Sequence, residues 1–129
     1  MAKLTAHQAR HKIAVRRGDI FLVSFDPTVG HEIQKSRPVL VIQNNIGNQY
    51  SPLTIVAAIT STISLTPYPV EVVIEPSESN GLIARSAVRL DHIRTIDRQR
   101  LIKRLGSADQ AAMDQVDGAI KISLGLIAL

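Results

Sequence analysis

Apolar and polar positions divide this chain of 129 residues into a β-rich body and a helical end. Residues 19–25 (DIFLVSF) are rich in strand formers and stop at Asp26 and Pro27, which start a turn. After a loop containing Gly30, residues 38–43 (PVLVIQ) make a near-continuous apolar run, the pattern of a strand buried on both faces. Residues 44–48 (NNIGN) carry turn chemistry, and residues 53–60 (LTIVAAIT) are the next strand. Two further strands are predicted at 70–75 and 86–93, separated by a polar segment that ends in Gly81.

The end of the chain is helical. Residues 107–110 (SADQ) read as a capping box, with Ser107 as N-cap and Gln110 three residues on. Asp109 falls in the first turn, where its charge favours the helix dipole. Met113, Val116, Ile120, Leu124 and Ile127 then recur at helical spacing, one apolar stripe suited to core or dimer contact. Five short strands and a terminal helix predict a mostly β protein with a C-terminal helix, a small β-barrel. Residues 1–15 lack a period or an apolar face and read as a flexible basic extension, leaving 16–129 as one domain. His7 and His11 stand at i,i+4 without a third ligand nearby, so they read as part of a polar tail.

Composition narrows the chemistry. Cysteine is absent, which removes disulfides, thiolate nucleophiles and Cys-based zinc sites. The longest uninterrupted apolar run, residues 55–59, is far short of the ~20 residues that span a bilayer. The polar, basic start shows no secretory signal, so a cytoplasmic protein without a membrane partner is expected. The formal charge of +4 is unevenly placed: residues 1–17 hold five bases and no acid. Residues 85–104 hold seven bases against Asp91 and Asp97, either a solvated charged face or a phosphate-binding footprint. The aromatics are only Phe21, Phe25, Tyr50 and Tyr68, too few for the stacking platform of a general single-strand binder. Nucleophile-elbow, zincin, dinucleotide and Walker motifs are all missing, and neither a metal nor a cofactor is expected.

Spacing nevertheless implies a site. Antiparallel pairing about a turn near Gly47 and Asn48 sets opposite each other residues whose numbers sum to roughly 97. Arg37 then falls beside Thr60 or Ser61, and Pro38 restricts its backbone to the extended region. Arg89 and Asp91 share the polar face of their strand; such a pair is a surface ion pair unless Arg37 and His31 lie close by. Cleaving RNA without metal needs removal of the 2′-hydroxyl proton, stabilisation of an anionic phosphorane and protonation of the 5′-oxygen. Arg37 suits the second service, because its planar fork pairs phosphate oxygens. His31 suits the first or third, and Thr60 suits orienting a phosphate or the 2′-hydroxyl. A guanidinium is almost never deprotonated, so Arg37 is assigned electrostatic stabilisation before proton transfer.

Several stretches resemble the MazF/PemK toxins: RGDI from Arg17, VSFDPTVGHE from Val23, SRPVLVIQN from Ser36 and NIGN from Asn45. IVAAIT from Ile55, VRLD from Val88, RTID from Arg94 and ISLGLI from Ile122 follow in the same order and spacing. The resemblance implies an SH3-like barrel, a homodimer, and a sequence-specific, metal-independent endoribonuclease that cuts single-stranded mRNA. Products would be a 2′,3′-cyclic phosphate and a 5′-hydroxyl, and a MazE-like antitoxin would occupy the RNA groove. The family's catalytic Arg and Thr match Arg37 and Thr60; its PemK/Kid branch emphasises a His, an Arg and an Asp that match His31, Arg89 and Asp91. RNA contacts are expected from Lys35, Ser36, Ser61, Arg85 and Arg94. The segment Glu32-Ile-Gln-Lys-Ser36 departs from the Gly-containing loop usual in relatives, so a cleavage sequence does not carry over. Two alternatives are a CcdB-like toxin of the same fold that poisons gyrase, and an inert module that only binds RNA or antitoxin.

Overall fold

The computed structural model describes residues 13–25, 36–66 and 68–128. Among these, β1 (Asp19–Ser24), β2 (Ser36–Val41), α1 (Asn45–Tyr50), β3 (Leu53–Thr60) and β4 (Glu71–Ile74) come first. They are followed by β5 (Ser86–Asp97), β6 (Leu101–Ser107) and α2 (Gln110–Ser123). Neighbouring strands are antiparallel, in the order β4-β5-β3-β2-β1-β6. The apolar run in β2 has its cause in this order. The strand lies inside the sheet, with Leu40 buried on one face and Val39 and Val41 on the other.

The first face is covered by α2, where Met113, Val116 and Ala119 pack on Ile20, Leu40, Ala57, Val88 and Leu90. Each large side chain buried there contributes about 1.5–3 kcal/mol. The second face gathers Phe21, Val23, Val39, Val41, Val56 and Leu101. Arg17 straps α2 to the end of β2: one guanidinium nitrogen lies 2.6 Å from Asp117 Oδ1, and Nε donates to Ile42 O at 2.9 Å.

The sheet is rolled, as a barrel requires. Ser107 N donates to Ser79 O at 2.8 Å, joining the end of β6 to the turn after β4, although β4 and β6 are opposite edges. The approach depends on glycine. A Cβ on Gly106 would stand 2.2 Å from Ser79 O, and one on Gly81 would stand 2.2 Å from Leu105 O. Rolling also covers edges that would otherwise invite pairing with another chain.

Several boundaries differ from the pattern-based expectation, each for a visible reason. Residues 44–48 are not a simple turn: the Asn44 side chain accepts from Gly47 N at 2.7 Å and caps the short helix α1. β5 runs past residue 93 to Asp97, because backbone pairing with β3 carries the polar residues Arg94 and Thr95. β6 has no counterpart in the apolar pattern; its ladder with β1 is interrupted twice, which blurs its alternation. Asp109, not Ser107, is the N-cap of α2, accepting from Ala112 N at 2.8 Å, while Ser107 closes β6. The helix ends at Ser123, so Leu124 and Ile127 lie beyond it and are exposed. No helix among the described residues is long and apolar enough to cross a membrane. The expected 1–15 extension falls mostly outside the described residues.

Asn48 joins the two central strands. It is fully buried; its Oδ1 accepts from Thr54 Oγ1 at 2.8 Å and Gln43 Nε2 at 3.1 Å, and its Nδ2 donates to Gln43 O at 2.9 Å. Asn48→Ala strands the buried Thr54 hydroxyl and is expected to cost about 1–3 kcal/mol. The check is a urea titration, in which the midpoint falls while the slope stays unchanged.

Candidate active site

Arg37 and Thr60 meet where the central ladder opens. Val39 pairs with Ala58, Leu40 with Ala57 and Val41 with Val56, and the ladder ends there. Pro38 has no N–H with which to extend it. Continued by two residues, the register sets Arg37 across from Thr60, and both line a cavity of about 670 Å³. Ser36 and Ser61 line the same cavity, so four of the expected residues converge. Thr62 and Ser86 also line it; the pairing of Thr60 with Ala87 places Ser86 there, a long-range contact that no local pattern announces.

The two central side chains are differently held. Arg37 is exposed, and its guanidinium donates only to Ser36 O, at 3.2 Å; among the described residues it makes no ion pair. It therefore presents its full charge to the cavity. Thr60 is half-buried, and its Oγ1 accepts from Thr62 N at 3.1 Å, which fixes the oxygen and leaves its proton to be donated.

Arg89 and Asp91 form a separate cluster on the same sheet face. Arg89 sits opposite Ala58, two residues from Thr60, or about 7 Å along the strand. Between Ala57 and Ala58 the pairing jumps from Ile93 to Arg89, so residues 90–92 bulge out of the ladder. The bulge exposes Asp91 and His92, a common device for aiming side chains. Arg89 is bidentate on Asp91, with Nε to Oδ1 at 3.1 Å and the second nitrogen to Oδ2 at 2.9 Å. This hydrogen bonding holds the Asp91 carboxyl below the usual carboxylate range and raises the Arg89 guanidinium.

Glu71 adds a third member that sequence reading missed. It pairs with Arg89 across β4 and β5, and its side chain is only 4% exposed. Its Oε1 accepts from Ser64 Oγ at 2.9 Å and lies 3.5 Å from Arg89 Nε, while Oε2 is buried without a partner. Glu71 carries no motif, and only the edge pairing of β4 reveals it. With both carboxylates ionised, the trio bears one net negative charge.

The remaining expected residues are elsewhere. Arg85 does not line the cavity; it makes an exposed ion pair with Glu75 at 2.7 Å, of small energetic value. Arg94 lies outside the cavity as well, with its guanidinium 4.5 Å from the centre of the Phe25 ring. Phe25 is thus a half-exposed stacking surface that also packs against the second core, and with Val56, Ala58, Asp91 and His92 it lines a shallow depression. His31 and Lys35 lie outside the described residues, as do His7 and His11.

Replacing Arg89 with Gln removes the bond that depresses the Asp91 carboxyl. Its titration, followed through the carboxyl carbon resonance, is expected to move up toward the ordinary carboxylate value. The native pair stabilises the fold above the unfolded carboxylate range, and that contribution is lost as pH falls through the lower folded value. Arg89→Gln lacks it at neutral pH and is expected to decline less steeply in acid.

The fold agrees with comparisons to known proteins. Residues 16–124 match the family described as PemK-like, MazF-like toxin of type II toxin-antitoxin system. Endoribonuclease EndoA of Bacillus subtilis (strain 168) is 47% identical over 113 residues, covering 88% of this chain and 97% of that protein. Endoribonuclease MazF of Staphylococcus epidermidis is 44% identical over 112 residues, covering 87% of this chain and 92% of that protein. In a crystal structure of MazE–MazF from Deinococcus radiodurans, the matching chain superposes with a TM-score of 0.68 at 27% identity. That match covers 87% of this chain and 97% of the other. The chain belongs to the PemK-like, MazF-like family of type II toxins.

Proposed function

We propose that this protein is an endoribonuclease toxin that cuts single-stranded mRNA in the cytoplasm, at a specific sequence and without metal. The supporting observation is the Arg37 guanidinium, without an ion pair among the described residues, sharing one cavity wall with the Thr60 hydroxyl. In the reaction the 2′-oxygen attacks the adjacent phosphorus and loses its proton, and the bond to the 5′-oxygen breaks as that oxygen gains one. The products are a 2′,3′-cyclic phosphate and a 5′-hydroxyl. Arg37 supplies charge where the phosphorane develops its own, and a fixed cation in a partly enclosed site is worth more than one in water. Thr60 donates to a phosphate oxygen or holds the 2′-hydroxyl. His31 is the side chain with proton-transfer chemistry near neutrality. Ser36 and Ser61 contact the strand inside the cavity and Arg94 does so outside it; Lys35 is a further contact.

Arg89 and Asp91 serve this reading as a positioned polar pair beside the cutting site. Leu124, Leu126, Ile127 and Tyr68 are exposed apolar side chains, and burying them suits a homodimer. Since related toxins are found in MazE–MazF complexes, a MazE-like antitoxin is the proposed inhibitor.

The test uses antitoxin-free protein, a long single-stranded RNA and EDTA, with cut sites and end groups mapped. Reproducible cuts at one short motif, leaving cyclic phosphates, are expected. Arg37→Ala is expected to fold normally and lose about 10²–10³-fold in rate. Growth inhibition that survives Arg37→Ala would assign the toxicity to a gyrase-type target, and intact RNA with the wild type would leave an inert binder.

A further inference from the structure

At the end of β5 an arginine is buried. Arg98 is 5% exposed; its guanidinium donates to Asn48 O and to Ile13 O, and its Nε has no partner. Among the described residues it makes no ion pair. Removing a guanidinium from water is costly, and two neutral carbonyls compensate only in part. Burial accordingly pushes its pKa down.

This side chain lines a cavity of about 660 Å³ whose walls also include Arg16, Asn45, Asn48 and Gln49. No acid lines it. The chain enters it at Ile13, and residues 1–16 contain Lys3, Arg10, Lys12 and Arg16 with no acid, so the adjoining segment supplies no countercharge either. A concave site whose polar lining is two arginines and three amides, beside the apolar Ile13, Ala14 and Val15 and a guanidinium nitrogen without a partner among the described residues, is suited to an oxyanion.

Its position says which one. Leu53 pairs with Asp97, so Arg98 lies at the opposite end of β3 from Thr60, about 23 Å away. Between them on β5 lies Arg94, opposite Val56 and stacked on Phe25. We propose that the Arg98 cavity is a second phosphate-binding site, which holds the backbone of an RNA strand away from the cutting site. The assignment to a strand rests on the endoribonuclease reading; the assignment to a phosphate rests on the cavity itself.

The experiment has two arms, both on the full chain free of antitoxin. In the first, inorganic phosphate is titrated while the Arg98 Nε–H resonance is followed; a saturable shift is expected, absent in Gln49→Glu, which places a negative charge on the cavity wall. In the second, binding of a single-stranded 2′-O-methyl oligonucleotide, which lacks the attacking hydroxyl, is measured against salt. Losing one phosphate contact is expected to reduce the slope of log K against log salt by about 0.7 in Arg98→Met and in Gln49→Glu. Gln49 is exposed, so this variant keeps the test open if Arg98→Met unfolds. An unmoved Arg98 signal overturns the site. A phosphate-dependent shift with unchanged salt slopes overturns the strand and leaves a free anion. Cleavage by the wild type with Arg98 unmoved sinks this site alone, whereas absent cleavage sinks the endoribonuclease reading and the strand assignment with it.

Discussion

The antiparallel pairing of β2 with β3 is the constraint on which the site depends. Its register is set at one end by Asn48, which ties Gln43 after β2 to Thr54 within β3 through three hydrogen bonds. A slip of one residue would turn every side chain of one strand to the wrong face, moving Val39 and Val41 out of their core and Leu40 out of the other. At the other end the ladder stops before Pro38, leaving a mouth with Arg37 and Thr60 on its rim. Rigidity at the Asn48 end and opening at the Pro38 end are thus two consequences of one pairing. The mouth can carry polar side chains because the strands behind it are locked.

Much of this was legible in local pattern. β3 follows from its apolar run, and the facing of Arg37 and Thr60 follows from the centre of the β2–β3 connection, although that connection is a helix and not a turn. A six-residue helix adds length symmetrically about Gly47 and Asn48, so misreading its conformation left the register intact. What could not be read has a common cause in long-range contact. β6 alternates poorly because its partner β1 accommodates two irregularities, and the extension of β5 to Asp97 is dictated by β3. The misplaced N-cap of α2 is similar. Ser107 and Asp109 both offer capping oxygens, and the choice is made by Ser107 N, already committed to Ser79 across the closed sheet.

The site residues divide along the same line. Residue type and register bring together Arg37, Thr60, Ser36 and Ser61, and period 2 brings together Arg89 and Asp91. Arg85 was grouped with the cluster by charge alone, and charge alone does not fix direction: its partner is Glu75, ten residues away across the β4–β5 connection. Glu71 and Arg98 escaped notice because burial is what makes them unusual, and burial is a property of the assembled sheet.

Three arginines then stand in three electrostatic states on one fold. Among the described residues Arg37 is exposed without an ion pair, Arg89 is flanked by Asp91 and Glu71, and Arg98 is buried with only carbonyl partners. Sequence treats them as equivalent positive charges, yet only the first and third have charge left to offer a polyanion. Around Arg89 the cation is taken up by Asp91 and Glu71, so the middle of the face offers phosphate little free charge. Formal charge in residues 85–104 therefore overstates the attraction of that segment, because Arg85 and Arg89 are already neutralised within the fold. Along β3 the cations without an ion pair among the described residues stand at its two ends, Arg37 and Arg98, with Arg94 on its aromatic ring between them. Where a strand of phosphates can lie is decided less by how many bases the chain carries than by which of them the sheet leaves uncompensated.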